Sequence, residues 1–409
     1  MNVLFLIHRY PPALGGSERF VQAIAHRLVA EGHQATVYTS NLLDVEGFWL
    51  RGSERLATGM EDDTGVRVRR FKAAVLPLHS ATSQLLGLVP WAPIGLTMLP
   101  PGLVLPDLWR AVRAGREFDV IHASAYPSLM YLGAVAARRS GVKLVLMPCT
   151  HPGDDGDGEK RRYFVSRRVV NLHHQADAII ALTERERQMM KRAGVPGERL
   201  HVTGAGVDPA SALGADGTRF RQKYELTSDT PIVAFVGHKT VGKGALYLLD
   251  ACQLLLAERP GLTFALVGAL TKEFTQRYQT LPDGVRRRVL NLSLSEQEKQ
   301  DLLAASSVLA LPSQEDSFGI VLLEAWLHGK PVIGARAGGI PDVIDEGQTG
   351  LLVPYGDVSA LSKAISWLLD HPGEADQMGS RGREITLQRW TWDTVYKRVR
   401  SVYKQILTR

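Results

Sequence analysis

The chain of 409 residues is 45% hydrophobic and 22% charged, with 39 Gly, 21 Pro and 2 Cys. That balance excludes collagen-like, disordered and disulfide-stapled classes and, at about 100–200 residues per domain, predicts two domains or three. The formal net charge of +6 falls wholly in residues 1–205, which hold 25 Lys and Arg against 19 Asp and Glu, whereas residues 206–409 hold 23 of each.

From the start, Met1 to Ile7 lacks the basic and long apolar regions of a signal peptide and reads as a first buried strand. Short apolar runs at 3–7, 35–39, 66–71, 120–122, 143–147 and 178–181 alternate with amphipathic segments at 18–31 and 128–139. This is the βαβ signature of a doubly wound parallel sheet. The most apolar stretch, 85–108, is broken by Pro90, Pro93, Pro100, Pro101 and Pro106, so no membrane-spanning helix is expected there. Residues 160–192 carry nine basic and three acidic side chains, which predicts a basic surface. Cys149 and Cys252 show no metal or disulfide spacing, and a reducing compartment, the cytoplasm, fits them best.

After Gly204-Ala205-Gly206 a less periodic stretch, 206–229, reads as an interdomain linker. Strand patterns then resume at 232–236, 263–267, 289–292, 308–311 and 332–334, with helical ones near 245–257, 295–304 and 319–327. The expectation is α/β: two tandem doubly wound Rossmann-like domains, 1–205 and 230–388. Ligands of such sheets bind beyond the carboxyl ends of the strands, here in an interdomain cleft.

Residues 312–324 follow a strand and open a helix that is apolar nearly all round, with Glu324 as its only charge. A buried carboxylate needs partners, which a polyhydroxyl ligand would supply. The alternative has Asp316 or Ser317 capping the helix and Glu324 reaching solvent or a neighbouring arginine. Between another strand and helix lie Gly237, His238, Lys239, Gly242, Lys243 and Gly244, a backbone-lined cationic turn suited to diphosphate. The P-loop pattern is absent, since Gly244 stands where Ser or Thr is required, and a plain surface turn fits as well. Gly15 and Gly16 precede a helix start, either as an ordinary turn or with amides offered to a ligand. His151 stands just past the strand at 143–147, where packing and ligand contact are both open to it.

Taken in order, these motifs resemble the retaining, nucleotide-sugar-dependent glycosyltransferases of the two-domain GT-B fold. The most specific part is Asp316-x7-Glu324, continued through Gly329-Lys330-Pro331 and Gly338-Gly339-Ile340-Pro341. The resemblance implies that Glu324 binds donor ribose and that Asp316, where the family prefers Glu, contacts the sugar hydroxyls. Phe318 and Gly319, with Ile320 beside them, match the backbone that approaches the diphosphate. Lys243 matches the lysine that neutralises it. His238 replaces the family's usual arginine near Gly237, so either Lys239 or His238 itself is expected to supply the missing charge. His151 would face the donor sugar and Gly15 and Gly16 the donor. Trp390-Thr391-Trp392 resembles the start of a last helix, 389–409, that crosses back to the first domain.

The activity implied is transfer of a hexosyl group, without a metal or other cofactor, to a glycan, lipid-linked or small-molecule acceptor. Catalysis would rest on His151, Asp316 and Lys243, and no nucleic-acid partner is expected. The basic residues Lys160, Arg161, Arg162, Arg167, Arg168, Arg185, Arg187, Lys191 and Arg192 would suit either a phosphorylated soluble acceptor or an anionic membrane surface on the cytoplasmic side. Competing readings are a sugar-nucleotide epimerase, a sugar phosphorylase, and a non-catalytic nucleotide-sugar-binding partner.

Overall fold

The computed structural model describes residues 1–13, 15–48, 53–75, 103–114, 117–125, 127–150 and 164–409. The expected roles of His151, of Lys160, Arg161 and Arg162, and of most of 85–108 lie outside the described residues. The chain divides into two compact units; the first runs to Thr203 and takes back Val395–Arg409, and the second holds Gly204–Thr394.

The first unit is built on a sheet whose strands lie in the order Leu200–Val202, Ala178–Ala181, Lys143–Met147, Val120–Ser124, Asn2–Leu6, Gln34–Ser40, Val66–Phe71 and Gly59–Asp63. All neighbours are parallel except the last pair. Central strands are buried on both faces, which is why they read as continuous apolar runs. The short strands Leu200–Val202 and Gly59–Asp63 escape the pattern because their residues are largely polar or exposed.

The second unit carries an all-parallel sheet in the order Val289–Leu292, Thr263–Val267, Ile232–Val236, Val308–Leu311, Val332–Ala335 and Gly350–Val353. Counted along the chain this is 3-2-1-4-5-6. The order therefore reverses between Ile232–Val236 and Val308–Leu311, and the loops leaving those two strands flank the switch point. Residues 206–229, expected as a linker, include the helix Gly217–Lys223, which joins the second unit. Its Phe220 is buried, and Arg219 pairs with the buried Asp301 of the helix Glu296–Ala305. One buried apolar residue in seven gives no readable periodicity.

The helix Trp392–Leu407 contributes Val395, Val399, Val402, Tyr403 and Ile406 as one buried stripe at helical spacing. Within the first unit, Tyr403 Oη lies 2.6 Å from His122 Nδ1, and Arg398 donates to the Thr203 carbonyl at 2.9 Å. Among the described residues no helix is long and apolar enough to cross a membrane.

Three histidines sit inside this first unit: burial holds His8 and His122 down at about 3 and His173 at about 4. Their folded pKa values lie below the unfolded value of 6.5, so each stabilises the fold above that pH and loses its contribution as pH falls. Glu186 acts oppositely. Burial raises its carboxyl to about 7, so its contribution is present at low pH and lost as pH rises through that value. At about 1.4 kcal/mol per proton and pH unit, the net of roughly two protons predicts a first unit less stable by about 3 kcal/mol at pH 5 than at pH 6. Hydrogen exchange of its strand amides at the two pH values measures this, and equal protection would contradict the neutral buried histidines.

Candidate active site

In the second unit the strand Val308–Leu311 runs into Pro312 and the fully buried Ser313, then turns through Asp316 to Gly319, where the helix Ile320–Leu327 begins. Gly319 has φ 88°, left-handed space that glycine enters without strain, and a Cβ there would come within 2.9 Å of the Leu322 side chain. The helix is buried, with Trp326 stacked 6.1 Å from Trp390 and donating to the Thr349 carbonyl.

The strand Ile232–Val236 leads into the second loop, which closes at Gly244, φ 75°, before the helix Ala245–Glu258. The two loops interlock. Gln314 N donates to the Gly242 carbonyl at 3.0 Å, and a Cβ on Gly244 would lie 2.0 Å from the Pro312 carbonyl oxygen. A third loop closes on the same turn: Gly339 N donates to Asp316 O at 2.7 Å, and a Cβ on Gly338 would lie 2.5 Å from that oxygen.

Inside this knot Lys243 Nζ lies 2.8 Å from Asp316 Oδ1 and 3.4 Å from the Glu315 carbonyl, both side chains being partly accessible. Two helix N-termini, at Ala245 and Ile320, follow the same loops and add partial positive charge. Lys243, Asp316, Phe318, Gly319 and Ile320 are thus brought together, with Phe318 buried against the edge of Trp390.

Glu324 is buried as expected, but its partner is a lysine from another helix: Lys299 Nζ lies 2.8 Å from Glu324 Oε1. Sequence reasoning missed Lys299, although its place on the helix face beside Leu302 and Leu303 is the signal that would have found it. His238 is exposed beside Gly237. Lys239, expected to add charge next to Lys243, is instead buried and turned elsewhere. Its ammonium donates to Asn291 Oδ1 at 2.6 Å and to the Leu292 carbonyl at 3.1 Å, and lies 5.7 Å from the Phe274 ring centre. Burial lowers its pKa to about 8. The end of the strand Val289–Leu292 offers that ammonium acceptors, and Phe274 of the helix Lys272–Gln279 offers a ring face, which together outcompete the open loop.

In the first unit Gly15 and Gly16 stand at the start of the helix Gly16–Ala30. A Cβ on Gly15 would fall 2.2 Å from the carboxylate of Glu18, which folds back to pair with Arg9 at 2.6 Å. Just before His151, Thr150 donates from its amide and its hydroxyl to Glu186 at 2.7 and 2.8 Å, while Cys149 takes φ 51°. Neither Glu18 nor Glu186 was legible as a loop anchor.

Two tandem Rossmann-like units, one with a cationic knot of loops at its switch point, make up the GT-B fold. The chain belongs to the glycosyltransferases, as two family models show: "Glycosyl transferase 4-like domain" matches residues 15–206 and "Glycosyl transferases group 1" matches 216–385. It is 29% identical to a D-inositol 3-phosphate glycosyltransferase of Acidothermus cellulolyticus, over 96% of this chain and 86% of that one. It is 27% identical to a GDP-mannose-dependent alpha-(1-6)-phosphatidylinositol monomannoside mannosyltransferase of Mycolicibacterium smegmatis, over 96% and 95%. Among solved structures it shares its fold with Anabaena HepE in complex with UDP-glucose, at TM-score 0.74 and 23% identity over 99% and 100% of the two chains. Sucrose-phosphate synthase from Thermosynechococcus elongatus gives 0.76 at 20% identity, over 100% and 99%.

The knot predicts that Gly244→Ala is costly, because the added methyl meets backbone and the conformation is left-handed. The second unit should lose about 2 kcal/mol or more in urea unfolding. Gly261→Ala, where nothing lies within 4 Å, is the comparison and should stay within about 1 kcal/mol.

Proposed function

We propose that the chain is a retaining hexosyltransferase that moves a hexosyl group from a nucleoside-diphosphate sugar to a hydroxyl of a phosphorylated polyol, free or lipid-borne, without a metal ion. The observation that carries this reading is the Lys243 ammonium, partly accessible among three interlocked loops and two helix N-termini. Breaking the bond from the anomeric carbon to the diphosphate leaves negative charge on the phosphate and positive charge on the ring. Lys243 and the helix N-termini stabilise the first electrostatically, in place of a metal. Asp316 orients Lys243 and contacts the sugar hydroxyls, the amides at Phe318, Gly319 and Ile320 and the turn at Gly237 and His238 line the diphosphate, and Glu324 takes the ribose. His151 faces the sugar, Gly15 and Gly16 approach the donor, and attack comes from the face the diphosphate leaves. The named substrates of the two relatives, inositol 3-phosphate and a phosphatidylinositol mannoside, support a phosphorylated polyol acceptor.

UDP-glucose and GDP-mannose, each offered D-inositol 3-phosphate or phosphatidylinositol, test this through nucleoside diphosphate release and the product's anomeric coupling in NMR. The expected product keeps the donor's configuration; an inverted product, or a free epimerised donor, overturns the assignment. Lys243→Met should lower kcat about 10²–10³-fold, and EDTA should leave the rate unchanged. An EDTA loss restored by magnesium or manganese would overturn metal independence.

The same reading extends to a cytoplasmic enzyme peripheral to the inner face of a membrane when the acceptor is lipid-borne. Arg167, Lys191 and Arg192 are exposed and supply the charge for anionic headgroups. Cosedimentation with anionic vesicles that is lost at high salt is the expected result, and equal binding to neutral vesicles would contradict it.

A further inference from the structure

The carboxylate proposed above to hold ribose shares the core with a lysine that the fold does not require. Lys299 and Glu324 are both buried, with side chains 8% and 6% exposed and Nζ 2.8 Å from Oε1. Lys299 lies on the helix Glu296–Ala305, anchored at its start by the reciprocal hydrogen bonds of Ser295 and Glu298. Its ammonium also meets Glu296, at 2.7 Å and half exposed. A buried ion pair brings little net stability over an apolar pair of the same volume, and Leu302 and Leu303 on the same helix show what the packing would accept. The pair therefore needs another reason.

That reason lies in what a ribose hydroxyl pair asks of a carboxylate. An ionised carboxylate accepts at both oxygens, whereas a protonated one has turned part of that capacity into a donor. Other charged groups also face this helix. His328, one turn past Glu324, is held down at about 4 by burial and pairs with Gln300 at 2.8 Å. Asp301 pairs with Arg219, and Lys330 and Arg383 act on His328. We infer that Lys299 is a positioning residue for the nucleoside: it fixes the charge and direction of the Glu324 carboxylate, and through it sets affinity for the nucleoside diphosphate. The inference rests on the ribose assignment of Glu324.

Calorimetric titration with UDP and with GDP at pH 6, 7 and 8 tests it, using the intact chain as wild type, Lys299→Met, Lys299→Arg, Glu324→Gln and the Lys299→Met/Glu324→Gln double variant. Lys299→Met should bind about tenfold more weakly, because the carboxylate has lost the ammonium that directs it, and Lys299→Arg should bind like wild type. In the Glu324→Gln background Lys299→Met should change the dissociation constant less than twofold, since the two residues act through one group. Lys299→Met binding like wild type at every pH, or an equal loss in the Glu324→Gln background, overturns the inference and leaves the ribose assignment standing. Wild type that binds neither nucleotide, or Glu324→Gln that binds as wild type, overturns the ribose assignment and the inference with it. Lys299→Arg keeps the test decisive if Lys299→Met folds poorly, because it must then keep the wild-type affinity.

Discussion

The backbone apposition of Gly244 and Pro312 is the constraint on which the second unit's chemistry depends. Ile232–Val236 and Val308–Leu311 are neighbours in a parallel sheet, so their exits emerge side by side from the same edge. Two loops must share the room of one, and they do so because no Cβ projects where they touch. With the loops meshed, Lys243 is delivered to Asp316 and both following helices start from the same place. The glycines have the character of a fitted joint, and the lysine is what the joint holds out.

Much of this was readable because a parallel sheet buried on both faces writes itself as uninterrupted Val, Ile, Leu and Ala. The strands at 143–147, 178–181, 232–236 and 263–267 coincide with the observed elements, and the glycine-rich turns stand where those runs stop. The buried carboxylates of the first unit were not readable. Glu186 and Glu18 each sit in a helix first turn, where a charged residue normally meets water. Lys239 shows the converse error. Its neighbours in sequence suggested a ligand, but its neighbours in space are a strand-end carbonyl and an aromatic ring. Sequence spacing marks a loop as a candidate site; which way each long side chain turns is decided by acceptors contributed from remote parts of the chain.

The two units anchor their strand-end loops by different means. In the second unit glycine contacts and backbone hydrogen bonds do most of the anchoring. In the first, buried carboxylates do it: Glu18 closes the turn at Gly15 with Arg9, and Glu186 takes both donors of Thr150 and the amide of Leu182. Carboxylate anchors respond to protonation and backbone ones do not. The loop at Thr150, held by Glu186, is accordingly tied to pH in a way that the second unit's backbone contacts are not.

The return of Val395–Arg409 to the first unit also governs the order in which the protein can be completed during synthesis. The chain leaves that unit at Thr203, and Val207 is paired with Thr391 where it comes back, Val207 N donating to Trp390 O and Trp392 N to Val207 O. A nascent chain that has reached Gly204 has every strand of the first sheet but lacks the buried stripe of that last helix and the tyrosine hydroxyl that meets His122 Nδ1. The apolar surface under that helix stays open while the whole second unit is translated. The ribosome must translate the whole second unit before the first is closed, and a fragment cut at the apparent boundary after Thr203 would be an unfinished body with an adhesive face rather than a domain.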